Sequence, residues 1–346
     1  MKIIGCDYHP AWQQVAVLDN ETGEIEELKL SHADEEAERF YSALQKPALV
    51  GIEATGNIQW FLDLLQRLGH EVWLGNAAEI RASYVRKQKT DKRDAGHILR
   101  LLIEGRFPRL WTPSAAERDL RQLLIHRQKQ VEIRTRVKNG LQHLAMNRGL
   151  QKKRKLWTAK GRADLEKLTL EGWAARRRED LLGLLNQLDR QIGELDEAVN
   201  AAAEKHPKAQ LLMTQPGVGP ITALAFALTI GDVNRFRRSK QVSSYLGLIP
   251  RERSSGGKQK LGSISRQGNS FVRMLLVEAA QSANQCDEGF RKQYAARCHY
   301  KPKALAKVAS ARRLAVRLYW MLRTNSPYPE IARIESSPGV GMVSAS

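Results

Sequence analysis

Four acidic residues near the start of the chain have the types and spacing of a metal site. Asp7 and Glu53 each end a short apolar run, and Asp91 and Asp94 stand three residues apart, so that they share one face of a helix. Carboxylates that meet at one point repel each other unless cations neutralise them. Such oxygen ligands suit Mg²⁺, and paired ions stabilise the attacking and leaving oxygens of phosphoryl transfer. The four residues therefore predict a catalytic Mg²⁺ site.

Each of these acids also has a structural explanation when taken singly. Asp91 can be a helix N-cap with Asp94 in the first turn, where the helix dipole favours negative charge. Glu53 can be a polar strand end. Their joint placement at the ends of predicted elements favours the metal site.

A second motif is the glycine-rich segment PGVGPITA, which contains Gly217 and Gly219 and precedes an apolar helix. It resembles a helix-hairpin-helix motif, in which backbone N–H groups at a helix N-terminus bind phosphate without reading the base sequence. The alternative is a tight turn that needs glycine for its own conformation.

A third motif is a basic loop that is rich in serine and glycine, from Leu246 to Asn269, with Ser254 and Ser255 next to two glycines. A serine hydroxyl on such a loop can attack a phosphate while neighbouring cations hold the phosphate oxygens. The same composition is also typical of a flexible linker. The cations expected to bind nucleic acid here are Arg251, Arg253, Lys258, Arg266 and Arg273.

The charge distribution indicates a polyanionic partner. The 346 residues carry a formal net charge of +19, yet residues 1–80 hold 5 Lys and Arg against 14 Asp and Glu. Residues 106–160 hold 15 basic and 3 acidic residues, and residues 235–313 hold 18 and 4. Carboxylates that collect metal ions beside surfaces that hold phosphates explain this pattern. The first basic stretch includes four consecutive cations that we expect to bind nucleic acid: Lys152, Lys153, Arg154 and Lys155.

The elements that must position the acids follow from hydrophobic periodicity. Strands are predicted at 2–7, 14–19 and 24–30 as an antiparallel meander. A helix at 33–44, a strand at 48–53, a helix at 57–68 and a strand at 70–74 follow. Three strands and then alternating helices and strands are the order of an α/β RNase H-like fold, with carboxylates at strand ends. We expect this catalytic domain to span residues 1–110.

Two long helices are predicted in residues 111–205, and the second carries a heptad pattern through Leu181, Leu185, Leu188, Ile192, Leu195 and Val199. The pair is either an intramolecular hairpin or a coiled coil between protomers. Residues 206–325 are predicted to form a mainly helical C-terminal domain. The tail at 326–346 is rich in Ser, Pro and Gly and is expected to be disordered.

The cysteines and the hydropathy indicate the cellular compartment. Cys6, Cys286 and Cys298 have no metal-like spacing, and their odd number argues against a disulfide framework. No apolar run is long enough to span a bilayer, and no signal peptide is recognisable. We expect a protein of the reducing cytosol without a membrane partner.

The motifs GCDYHP, GIEATG, KTDKRDA, PGVGPITA and LGLIPRERSSGGKQKLGSISRQGN together closely resemble the DEDD-type insertion-sequence transposases, the bridge-RNA-guided recombinases of bacterial mobile elements. The resemblance covers nearly the whole chain, with the motifs in the family's order. It implies a RuvC-like domain with Mg²⁺ ligands, a coiled-coil linker and a C-terminal transposase domain. The ligands would be Asp7, Glu53, Asp91 and Asp94.

The resemblance also implies a nucleophile and partners. Ser255 would attack the DNA phosphodiester and form a covalent phosphoserine link. A noncoding bridge RNA would pair with donor and target DNA, so that base pairing selects the sequence. A dimer or tetramer in the bacterial cytoplasm, associated with the nucleoid, would carry out the reaction.

Two other functions fit the residues. A structure-selective nuclease, such as a Holliday-junction resolvase, would use metal-activated water and need no serine. A noncatalytic nucleic-acid scaffold would use the acidic N-terminal region only as an interaction surface. A protein–DNA adduct separates the recombinase from the nuclease, and Mg²⁺-dependent cleavage separates both from the scaffold.

Overall fold

A computed structural model describes residues 1–45, 47–84, 91–151, 155–252, 254 and 260–336, and only the backbone of residues 91, 92 and 333–336. The chain divides into two compact units, Met1–Thr112 and Pro113–Ser346. The first unit is mixed α/β and the second is mostly helical, as the sequence predicts.

The first unit is built on a five-stranded sheet. Its strands are β1 (Lys2–Tyr8), β2 (Trp12–Asp19), β3 (Ile25–Ser31), β4 (Leu49–Glu53) and β5 (Glu71–Gly75). Their order across the sheet is β3-β2-β1-β4-β5. β2 runs antiparallel to β1 and β3, and β4 runs parallel to β1 and β5. The predicted meander and both later strands are confirmed.

Helices cover the two faces of this sheet. They are α1 (Glu36–Ser42), α2 (Gln59–Arg67), α3 (Ala77–Ala82) and α4 (Asp91–Ile103). Side chains alternate between faces along a strand. Ile4, Cys6 and Tyr8 therefore pack into one core with α1 and α2, whereas Gly5 on β1 lies against α4. This alternation assigns Asp7 to the α4 face.

Within its described part, the second unit contains ten α-helices, one short 3₁₀ helix (Val233–Arg235) and one hairpin. The helices are α5 (Ala115–Met146), α6 (Ala159–Glu166), α7 (Gly172–Lys205), α8 (Pro207–Met213), α9 (Pro220–Ile230), α10 (Ser239–Tyr245), α11 (Ser270–Cys286), α12 (Glu288–Tyr300), α13 (Lys303–Thr324) and α14 (Tyr328–Ser336). The hairpin strands are β6 (Pro250–Glu252) and β7 (Leu261–Ile264), and they pair antiparallel. Strand pairing in this segment was not predicted from the sequence.

The two long helices α5 and α7 pack against each other within the chain. Arg127 pairs with Asp196 at 2.8 Å, and Arg134 pairs with Asp189 at 3.2 Å. The order is reversed between the helices, so they run antiparallel. The heptad residues Leu185, Leu188, Ile192 and Val199 are buried inside this single chain. Of the two alternatives, the intramolecular hairpin is the one observed.

The C-terminal segment corrects one expectation. The tail was expected to be disordered from residue 326, yet Tyr328–Ser336 forms α14. The Tyr328 backbone N–H donates to Thr214 Oγ1 at 2.9 Å, and Ile331 is buried in the core of this unit. Apolar contacts and a backbone hydrogen bond therefore order a stretch whose composition alone indicated disorder. Residues 337–346 lie outside the described ones.

No helix in the described part of the chain is both long enough and apolar enough to cross a lipid bilayer.

Candidate functional site

Asp7 and Glu53 lie side by side at the carboxyl edge of the sheet. Cys6 of β1 is opposite Ile52 of β4 in the parallel ladder, and the two acids are the next residues of these strands. Adjacent strands are about 4.8 Å apart. The sequence prediction that these two strand ends meet is confirmed.

Asp94 reaches the same region from α4, where its side chain is buried with 6% exposure. The strand and the helix approach closely because Gly5 has no side chain. A Cβ atom on Gly5 would lie 2.3 Å from the Ala95 carbonyl oxygen and 2.4 Å from the Leu99 amide nitrogen. Gly5 thus sets the distance between the strand of Asp7 and the helix of Asp94.

Tyr84 contacts one of these carboxylates and was not identified from the sequence. Its hydroxyl donates a hydrogen bond to Asp94 Oδ1 at 2.6 Å. Burial, that hydrogen bond, and the negative charges of Asp94, Asp7 and Glu53 raise the pKa of Tyr84 well above its usual value. Three of the four predicted acids therefore act electrostatically on one hydroxyl. A tyrosine in an ordinary loop carries no sequence signal for this role.

The four predicted acids are chemically suitable ligands for a hard divalent cation, because such ions prefer carboxylate oxygens. Among the side chains described, however, no group of three or more His, Cys, Asp or Glu residues is arranged so that it could hold a metal ion. The structure describes the backbone of Asp91, which is the first residue of α4, but not its side chain. The metal-ligand roles of the four acids stay predictions.

Neighbouring residues support the arrangement from both sides. His9 Nε2 lies 3.3 Å from Asp7 Oδ2, and the His9 ring stacks on Trp12. On the other side, the His97 ring packs against Tyr84 with 4.1 Å between centroids. Burial, and next the charge of Arg100, lower the pKa of His97. Ring packing on Tyr84 thus helps to fix the hydroxyl that reaches Asp94.

The predicted nucleophilic loop lies between the hairpin strands β6 and β7. Ser255 lies outside the described residues, but Ser254 lies within them. The Ser254 hydroxyl donates to Glu252 Oε1 at 2.6 Å and accepts a hydrogen bond from the Lys260 backbone N–H at 3.2 Å. These two bonds tie the ends of the loop together. The strands that flank this segment, β6 and β7, thus pair as a hairpin.

The predicted cations of this segment have different surroundings. Arg251 and Arg266 are exposed, and Arg266 adopts a left-handed backbone with φ of 58°. Arg273 donates to the carbonyl oxygens of Leu246, Gln267 and Gly268, so its guanidinium holds the turn before α11. Binding of nucleic acid by these arginines stays a prediction. Arg253 and Lys258 lie outside the described residues.

The two glycines of the predicted phosphate-binding motif differ. Gly217 has φ of 85°, and a Cβ there would lie 2.4 Å from the Ala283 nitrogen of α11, so packing requires this glycine. Gly219 precedes α9 and has open space around its Cα, and no side chain caps this helix end. Of the two, only Gly219 leaves room for a phosphate.

Of the predicted basic tip, Lys152, Lys153 and Arg154 lie outside the described residues. Lys155 is exposed, beside the turn that leads into α6. Binding of nucleic acid by these four residues therefore stays a prediction.

Two transposase family models match the chain. An IS110-type DEDD transposase model matches residues 4–146, and a model described as "Transposase IS116/IS110/IS902 family" matches residues 209–295. A Pseudomonas aeruginosa protein described as "Probable family 20 transposase" is 30% identical over 250 residues, which are 69% of this chain and 72% of that protein. The chain belongs to the IS110 family of transposases.

Further relatives agree with this membership. The transposase of insertion sequence element IS1111A from Coxiella burnetii is 30% identical to this transposase over 68% of the chain and 66% of its own length. A pilin gene-inverting protein of Moraxella lacunata is 25% identical over 92% of both chains. This transposase is thus an enzyme that acts on DNA, and its DEDD-type family suggests a dependence on divalent metal. The resemblance inferred from the motifs is confirmed.

Proposed function

We propose that this transposase cuts and rejoins donor and target DNA with Mg²⁺ held by Asp7, Glu53, Asp91 and Asp94. The observation that carries the metal site is the position of Asp7 and Glu53 at neighbouring strand ends, with Asp94 on the helix that packs closely against the strand of Asp7. The strand order, with β2 alone running against its neighbours in the sheet, supports an RNase H-like fold for this unit. The bound ions would supply charge stabilisation for phosphoryl transfer.

Ser255 is the proposed nucleophile, and the contacts of Ser254 support this choice. The Ser254 hydroxyl already bridges Glu252 and the Lys260 backbone, so it has a structural role at the base of the loop. The same contacts give Ser254 a specific competing case. A carboxylate 2.6 Å from a serine hydroxyl is the arrangement that a general base requires. The experiment must therefore separate the two serines.

A bridge RNA is the proposed guide for this reaction. The two basic stretches, 106–160 and 235–313, support it because phosphate contacts bind nucleic acid without choosing a sequence. Base pairing in the RNA would then select donor and target DNA. The exposed Lys155 and the open helix end at Gly219 are suitable for such contacts. A homo-oligomer would hold both DNA partners during exchange.

Mass spectrometry of protein denatured during turnover tests whether a serine of this segment forms a covalent link to DNA. Because Arg253 and Lys258 flank the pair, one tryptic peptide contains both serines. Variants must therefore make the assignment. We expect Ser255→Ala to bind nucleic acid normally but to form no adduct, whereas Ser254→Ala keeps the adduct. An adduct lost only in Ser254→Ala and in Glu252→Gln would instead identify Ser254. Strand exchange in Ser255→Ala, with no covalent species in the wild type, would favour water as the nucleophile.

A further inference from the structure

A cluster of aromatic rings lies around Tyr8 at the C-terminal end of β1, on the face of the sheet opposite to that of Asp7. Tyr8 follows Asp7 directly, and it points away from α4 into the core with α1 and α2. Its ring stacks with His32 at 5.2 Å and lies 6.4 Å from the ring of Trp60. Tyr8 and Asp7 therefore lie on opposite faces of the same strand end.

Trp60 has an unusual orientation within this cluster. Its indole N–H donates to the Tyr8 hydroxyl at 2.8 Å, and that hydroxyl donates to the Asn57 carbonyl at 3.1 Å. The residue is nevertheless 43% exposed. A tryptophan at a surface commonly buries its ring and turns its polar end to water. Here the polar end is used inside the protein while a large part of the residue stays accessible.

The ring is also fixed before any ligand arrives. The edge of His32 meets it at 4.9 Å and 77°, and Phe61 lies 5.6 Å away. Together with the hydrogen bond to Tyr8, these contacts restrict its rotamers. A side chain held in this way loses little conformational entropy when a partner binds.

We infer that Trp60 is a stacking platform for an unpaired nucleobase of the DNA strand whose phosphate is held at the carboxylates. This inference rests on the proposed metal site. Every base has a π-face, so stacking would add affinity without choosing a sequence, as suits a guided enzyme.

The test measures how the full-length protein distinguishes bases from backbone. The probes are a fluorescent twelve-nucleotide oligo(dT) and the same backbone with abasic sites, in Ca²⁺, with binding followed by anisotropy. We expect the wild type to prefer oligo(dT), and Trp60→Ala to reduce that preference about fivefold or more, since stacking contributes this much per base. Trp60→Phe, which keeps a ring, should retain most of the preference. A preference retained in Trp60→Phe would show that the reduced preference of Trp60→Ala comes from the missing ring and not from misfolding.

Trp173 provides the matched control, because it is 88% exposed and lies in the other unit. Trp173→Ala should leave the preference unchanged. A preference that is equal in Trp60→Ala and wild type would overturn the inference while leaving the proposed function intact. An unchanged preference with a lower sedimentation mass in Trp60→Ala would assign the ring to a protein interface. A wild type that binds neither probe would contradict the proposed function as well.

Discussion

Gly5→Ala should separate the proposed metal-binding acids without changing any of them. A Cβ atom at this position would lie 2.3 Å from the Ala95 carbonyl oxygen, whereas ordinary contact begins at 3.4 Å. Both clashing atoms belong to the backbone of α4, so no side chain can rotate away. The strand and the helix must therefore move apart by about 1 Å, the difference between the two distances.

This displacement acts directly on the proposed metal site, because Asp7 lies two residues after Gly5 and Asp94 immediately precedes Ala95. A misplacement of about 1 Å can reduce a catalytic rate by roughly 100-fold. Overpacking also costs about 1–3 kcal/mol in the free energy of unfolding. We expect both effects in the same variant, with activity reduced at temperatures where the protein stays folded.

The assay compares Mg²⁺-dependent strand exchange with thermal unfolding, and Gly96→Ala is the control. Gly96 also lies on α4, but a Cβ there would meet no atom within 4 Å. Removing a helical glycine should stabilise α4 by about 0.5–1 kcal/mol and leave activity unchanged. If Gly5→Ala exchanged strands at the wild-type rate, the close contact between β1 and α4 would not position the acids.

Two further predictions concern the second unit. Leu188→Ala should lower the free energy of unfolding, measured in urea, by about 2–5 kcal/mol, because Leu188 is 3% exposed within one chain. The control Leu184→Ala, at a residue 40% exposed, should lower it far less. Equal losses of stability, with a lower sedimentation mass for Leu188→Ala, would instead indicate that the heptad residues pack between protomers. Asp287→Asn should cost about 3–5 kcal/mol because it breaks the buried ion pair with Arg317 at 2.9 Å, while the exposed neighbour substitution Glu288→Gln should have little effect. Burial raises the pKa of Asp287, but hydrogen bonds from Phe290 N–H, Tyr328 and Arg317 outweigh it and leave that pKa lowered. The stabilisation is therefore complete above the unfolded-state pKa of about 3.9 and is lost as the pH falls through the folded value, so wild type should lose stability below about pH 4 more steeply than Asp287→Asn.

Several features could be predicted because they depend on short-range patterns. Alternation of apolar residues located the strands of the sheet, and the order of the elements placed Asp7 and Glu53 at neighbouring strand ends. The five motifs identified the family, which the comparisons confirm. The heptad pattern predicted a packed helical seam, but it could not say which surface the seam meets. Apolar spacing is the same for a partner in the same chain and for one in another.

The sequence by itself determined the secondary structure of the first unit, the helical character of the second, the family and the acids to test. Only the tertiary structure decided that Tyr84 contacts Asp94, that Gly5 sets the distance to α4, and that Tyr328–Ser336 is helical. It also decided that α5 and α7 pair within the chain. The physical reason is the same in each case. These features depend on contacts between segments distant in sequence or on the close approach of two backbones, and neither leaves a periodic or compositional pattern in the chain.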